Sequence, residues 1–270
     1  MAATSTSSNG WALILGSSSG FGAATALELA RSGLDIYGVH LDRKATMPLA
    51  DKVVADLRAL GREVSFFNLN ATDATKRHEV LDHIELKLRE RQTPGAVKVL
   101  FHSLAFGTLK PFCPLEDGDG ITQAQMEMTL DVMANSLVYW TQELVRRKLM
   151  VGGGRIYAMT SEGSTTVWPS YGPVSAAKAA LEAHCRQLAY ELAPVGITVN
   201  AIRAGVTDTP ALRKIPGCEA LLEAAARRNP SKRITTPEDV ARCVAALARP
   251  ETAWLTGNVL GIDGGEHIAG

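Results

Sequence analysis

The sequence predicts an α/β fold of the Rossmann type: a doubly wound parallel sheet of about seven strands with helices on both faces, in a single domain. Three observations predict it. Short β-prone runs alternate with longer amphipathic stretches almost to the end. The first run passes directly into a glycine-rich turn and then a helical pattern. The 270 residues contain no internal repeat, low-complexity linker or break in composition, and that length suits one sizeable core.

The elements follow in order. Strands are expected at 11–15, 35–39, 63–69, 97–102, 155–160, 197–202 and 258–262. Helical patterns lie between them near 21–32, 47–60, 74–91, 122–150, 174–193 and 236–248. Two interruptions stand out. Residues 107–120 carry Pro111, Pro114, Gly118 and Gly120 after the fourth strand, and 205–217 hold Pro210 and Pro216 after the sixth. Ligands of open parallel sheets bind beyond the carboxyl ends of the strands, where both loops belong. The domain is expected to occupy residues 10–270. Residues 1–9 are small and polar and read as a frayed or disordered tail rather than a signal peptide.

Composition excludes several functions. Basic and acidic residues balance at 28 each, so no global field calls for nucleic acid or an anionic membrane. No apolar stretch is long enough to span a bilayer. Cys113, Cys185, Cys218 and Cys243 are scattered without CxxC spacing, which suits reduced thiols in a soluble cytoplasmic protein. His40, His102 and His184 have no metal-binding spacing, and no metal is expected.

The run Trp11-Ala-Leu-Ile-Leu15 leads into Gly16-Ser-Ser-Ser-Gly20-Phe21-Gly22. Strand, glycines and helix in this order form a dinucleotide site. The glycines permit a sharp turn, close backbone approach to a pyrophosphate and tight helix–strand packing, while the helix N-terminus attracts phosphate. The second strand runs on through Val39-His40-Leu41-Asp42-Arg43-Lys44. Asp42 falls two residues later than a ribose-binding carboxylate is expected, whereas Arg43, Lys44, Ser17 or Ser18 could pair with a 2′-phosphate. These residues point to NADPH, with NADH as the alternative. Asn70 and Ala71, closing the third strand, are placed to meet the adenine ring, although turn or cap use of the asparagine is equally simple.

Tyr171 and Lys178 form the other informative pair, in Ser170-Tyr-Gly-Pro-Val-Ser-Ala-Ala-Lys178 behind a strand ending Met159-Thr160-Ser161. Pro173 suits a first helical turn, so Tyr171 is expected to precede the helix and lean over the pocket. Lys178, two turns on, sits among alanines, and a charge set among small apolar residues has a partner. It is expected to hold the cofactor ribose and to lower the phenol's pKa. Ser161 either orients substrate or satisfies a strand end. Phe106, Trp168 and residues 212–215 are candidates to line an acyl pocket, or are ordinary packing.

Together with Val199-Asn-Ala-Ile202 and Gly261-Ile-Asp-Gly-Gly265, these motifs make the chain resemble the short-chain dehydrogenase/reductase family along nearly its whole length. The resemblance implies hydride transfer with a nicotinamide cofactor and a homotetramer. The departures narrow it. Most members place the catalytic tyrosine four residues before the lysine, where this chain has Val174, and use a central-helix asparagine where it has Met133. Tyr-x6-Lys spacing and His102-Ser103-Leu104-Ala105-Phe106 resemble the enoyl-acyl-carrier-protein reductases, in the branch that favours NADPH. That subgroup's nicotinamide and pyrophosphate loop is matched by Gly205, Val206, Thr207 and Thr209, and its fourth-strand segment by Ser103, Leu104 and Ala105. One departure remains: many of its members carry a second tyrosine ten residues before the catalytic one, where Ser161 stands.

Chemistry explains the shifted spacing. A ketone reductase must protonate the oxygen of the bond being reduced. An enoyl thioester takes hydride on its β carbon, so charge appears on the more distant thioester oxygen and needs a donor there. The expected function is therefore reduction of the trans-2 double bond of an enoyl thioester, possibly carried by acyl carrier protein, in fatty-acid elongation. The alternative is a carbonyl or alcohol oxidoreductase acting on a polyketide, steroid-like or other small substrate. A nucleotide-binding sensor without turnover is disfavoured because Tyr171 and Lys178 are both present.

Overall fold

Successive side chains of a strand point to opposite faces of a sheet, and β1 (Trp11–Leu15) buries all of its own. The computed structural model describes residues 9–93, 96–114 and 118–269. The other strands are β2 (Asp35–His40), β3 (Val64–Asn68), β4 (Val97–His102), β5 (Arg155–Ser161), β6 (Thr198–Ala204) and β7 (Val259–Ile262). All pair in parallel, in the order β3-β2-β1-β4-β5-β6-β7. The order reverses between β1 and β4, so a crevice opens beyond their carboxyl ends.

Trp11, Leu13 and Leu15 enter a core shared with α3 (Ala74–Glu90), α5 (Ser136–Arg146) and α6 (Gly172–Leu192). Ala12 and Ile14 enter a second core, against α1 (Gly20–Arg31), α2 (Met47–Ala59) and α8 (Pro237–Leu247). The expected doubly wound domain is thus observed. No helix among the described residues is long and apolar enough to cross a membrane. The expected tail lies outside the described residues except Asn9, whose N–H bonds the Gly33 carbonyl at 3.1 Å.

Two helical expectations need correction. The pattern at 122–150 is not one helix: α4 (Gln123–Leu130) gives way to a π-helical turn (Asp131–Asn135) before α5. Ser136 donates back to the Val132 carbonyl at 2.8 Å, a bond that competes with the helix ladder. The second correction is α7 (Cys218–Arg228), which follows the loop after β6 and was not expected.

Candidate active site

The glycine turn closes tightly over the β1–β4 crevice. Gly16 has φ +87°, and a Cβ on Gly22 would overlap the Gly16 carbonyl oxygen. Ser19, the residue before α1, makes no side-chain cap, which leaves the helix's first N–H groups open to an anion. This bare backbone cradle fits a pyrophosphate. Ser103 crosses the crevice by donating its N–H to the Leu15 carbonyl at 2.8 Å; Leu104 packs on the core, and Ala105 lines the pocket. Phe21 lines the pocket from the glycine turn.

Other predicted cofactor residues are placed less simply. The Ser17 hydroxyl is buried and donates to the Val39 carbonyl at 3.3 Å, so it is committed to the fold. Asn70 accepts from the Thr72 N–H and hydroxyl at 3.1 and 3.0 Å, which is the turn role, and the Ala71 carbonyl accepts from Trp140 at 2.9 Å. Arg43 and Lys44 are exposed. Asp42, set aside in the sequence, folds back beside them with its carboxylate 2.8 Å from His40 Nδ1. Burial opposes its ionisation, but hydrogen bonds from Thr46, Ser18 and His40 outweigh this and hold it below the ordinary carboxylate value. Positive side chains and one carboxylate therefore share the edge of the site expected to meet the ribose.

Beyond β5, the chain brings Ser161 and Tyr171 together, with Oγ and Oη 3.3 Å apart. Tyr171 is the residue immediately before α6, and Pro173 occupies the helix's first turn. Lys178 is only 5% exposed, and its ammonium donates to the Met159 carbonyl of β5 at 2.6 Å. Burial lowers the lysine to about 8, with Cys185 and Glu182 working the other way. The phenol does not behave as expected. Burial raises it, offset only by the Ser161 bond, and the lysine ammonium is turned to the backbone of β5.

Val174 and Met133, at the two positions of departure, pack with Ala177, Leu109 and the Tyr171 side chain. They form an apolar wall where a polar pair was absent from the sequence. His102, the last residue of β4, is fully buried, with Nε2 2.8 Å from Ser136 Oγ. Burial and then the Lys178 charge push it down to about 3, so it is a neutral core histidine.

Ser161, Tyr171, Val174 and Met133 border a cavity of about 240 Å³ beside Val206, Thr207 and Thr209 of the loop after β6, whereas Lys178 and His102 do not line it. Trp168, Leu212, Ile215 and Leu221 line its outer side, whereas Phe106 is exposed and does not line it. The Trp168 indole donates to the Pro216 carbonyl at 3.3 Å across the mouth. The run Cys218-Glu-Ala-Leu-Leu-Glu-Ala-Ala-Ala-Arg-Arg228 is made almost wholly of strong helix formers, a signal that could have revealed α7. Asp42's inward turn had no such signal.

The site joins a glycine cradle that fits a pyrophosphate, a buried lysine and a hydroxyl pair, and the chain's relatives are oxidoreductases. A family model described as "Enoyl-(Acyl carrier protein) reductase" matches residues 16–267, and the chain belongs to the short-chain dehydrogenase/reductase family, with an enoyl-reductase-like resemblance. It is 28% identical over 258 residues to 1-cyclohexenylcarbonyl-CoA reductase of Streptomyces collinus, covering 95% of this chain and 86% of that one. It is 29% identical over 255 residues to 3-oxoacyl-[acyl-carrier-protein] reductase FabG of Thermotoga maritima, covering 94% and 96%. Enoyl-[acyl-carrier-protein] reductase (NADH) from Aquifex aeolicus superposes with TM-score 0.81 at 27% identity, covering 97% and 98%. A short-chain dehydrogenase from Burkholderia cenocepacia in complex with NADP superposes with TM-score 0.79 at 29% identity, covering 96% and 98%. The family's cofactor is a nicotinamide dinucleotide.

Proposed function

We propose that this protein reduces the trans-2 double bond of an enoyl thioester in fatty-acid elongation, with NADPH as cofactor. The observation that carries the reading is the Tyr171–Ser161 pair standing over an apolar wall in which Val174 and Met133 fill the usual tyrosine and asparagine positions. A bound nicotinamide supplies the hydride. The Tyr171 hydroxyl donates to the thioester oxygen as enolate charge develops there, in the manner of an oxyanion hole. Ser161 orients that hydroxyl, which burial keeps protonated through neutral pH. Lys178 holds the ribose hydroxyls, while the apolar wall and Leu212, Ile215 and Leu221 exclude water from the acyl chain.

For the cofactor, Gly16, Gly20, Gly22 and Ser18 hold the phosphates, and Ser103 to Ala105, Gly205, Val206, Thr207 and Thr209 flank the nicotinamide. Arg43 and Lys44 meet the 2′-phosphate. Asp42 favours NADH as a second reading, because its carboxylate is suited to ribose hydroxyls and repels a phosphate. The carrier of the acyl group is acyl carrier protein, the assembly is a homotetramer, and four free cysteines suit the cytoplasm.

A carbonyl reductase is the second reading of the reaction, favoured by the likeness to a 3-oxoacyl reductase and by a tyrosine–serine pair suited to protonating a carbonyl oxygen. Turnover of crotonyl and acetoacetyl thioesters, followed by cofactor absorbance, separates the two. Selective consumption with the crotonyl substrate supports enoyl reduction, and selective consumption with acetoacetyl replaces it by ketone reduction.

A further inference from the structure

One buried carboxylate takes no part in the chemistry above. Glu266 follows the closing Asp263-Gly-Gly265 and is 1% exposed. Its Oε2 accepts from the Val206 N–H at 3.1 Å, and its Oε1 lies 3.0 Å from the Arg228 guanidinium at the end of α7. The same Arg228 nitrogen reaches Glu162 Oε2 at 2.7 Å, one residue beyond Ser161. The packing leaves no slack, since a Cβ on Gly205 would stand 2.8 Å from Glu266 Oε2. A buried carboxylate is stable only when paired and hydrogen-bonded, and stripping one partner leaves a costly bare charge.

We infer that Glu266 and Arg228 are positioning residues that tie the loop 205–209 to helix α7, so that the cofactor side and the substrate side of the pocket are set together. This inference rests on the proposed reading of that loop as a cofactor contact. Val206 lines one wall, Leu221 of α7 another, and Glu162 a third, while the Arg228–Glu266 bridge joins all three from behind. Asn229, capping α7, adds a bond to the Asp263 carbonyl at 2.8 Å. The C-terminal end of α7 is therefore fixed to the closing segment. Its N-terminal side is held across the mouth by the exposed Trp168–Pro216 bond.

The test uses the full chain and Arg228→Ala, Arg228→Lys and Glu266→Gln. NADPH and NADH binding is followed by fluorescence titration, and hydrogen exchange is read over 205–209 and 218–228. Arg228→Ala is expected to weaken cofactor binding about tenfold, the effect of one charge-assisted hydrogen bond at the low end of its range, and to raise exchange in both segments together. Arg228→Lys restores most of the binding. Glu266→Gln keeps an acceptor for Val206 but loses the charge that holds Arg228, and it reproduces Arg228→Ala. A folded Arg228→Ala protein with faster exchange in α7 alone and unchanged cofactor binding overturns the inference. If Glu266→Gln does not fold, Arg228→Ala carries the test, because that arginine side chain is 35% exposed. Neither readout needs a thioester, so failure of enoyl turnover leaves this result standing. A parent protein that binds neither cofactor overturns both readings.

Discussion

Tyr171→Phe removes one hydroxyl, whose side-chain partner is the Ser161 Oγ at 3.3 Å. A neutral hydrogen bond contributes about 0.5–1.5 kcal/mol, and the ring keeps its packing against the Met133 and Val174 cluster. Stability should therefore fall little, with Tm lower by roughly 2–4 °C per kcal/mol in a chain of this size. Turnover should fall far more. Loss of one oxyanion donor costs about a hundredfold or more in kcat, or roughly 2.7–4 kcal/mol of transition-state stabilisation. Because burial raises the phenol, it remains a proton donor through neutral pH, and the loss is the same across that range. Cofactor affinity should be unchanged. The assay is steady-state oxidation of NADPH by crotonyl thioester, with cofactor titration and thermal melting on the same preparation. Val174→Tyr added to Tyr171→Phe should not rescue turnover, because that phenol addresses a different oxygen. Near-normal enoyl reduction by Tyr171→Phe would refute both the residue assignment and the oxyanion argument.

Three further outcomes follow from the geometry. A Cβ at Gly163 would overlap Tyr171 Cε1, so Gly163→Ala should displace the ring and lower kcat at unchanged cofactor affinity, measured by steady-state kinetics and titration. Lys178 falls from its ordinary 10.5 to about 8 on burial, so between those values the unfolded chain holds the extra proton and stability rises with pH. Urea unfolding from pH 7 to 10.5 should show that rise in the parent and its loss in Lys178→Met, whose cofactor binding is also weaker. Arg43→Ala and Lys44→Ala should each raise the KM for NADPH up to about tenfold and leave that for NADH alone, whereas Asp42→Asn should favour NADPH. Parallel KM determinations with the two cofactors check both.

Most of the fold was legible because its signals are local. The apolar run of β1, the glycines after it and the helix of α1 occur in the order that a dinucleotide-binding turn requires. Tyr171 before α6 could be read from Pro173, whose fixed φ suits a first turn. What was hidden depends on contacts between distant segments. The π-helical turn ends at Ser136, which meets His102 of the distant strand β4, and no run of residues around 131–135 announces it. Asp42 turns inward through bonds to His40 and Asn68, the latter 26 residues away. The phenol's environment likewise could not be inferred from Tyr-x6-Lys spacing, because burial and the Ser161 hydroxyl, rather than the distance to the lysine in sequence, set it.

The most direct test of enoyl reduction is the position of the transferred hydrogen. The protein is incubated with crotonyl thioester and NADPH deuterated at the transferring position of the nicotinamide ring, and the product is examined by NMR. Deuterium on the β carbon, with a solvent proton on the α carbon, is the predicted result. A product that retains its double bond while an acetoacetyl thioester gains deuterium at its former carbonyl carbon would contradict it.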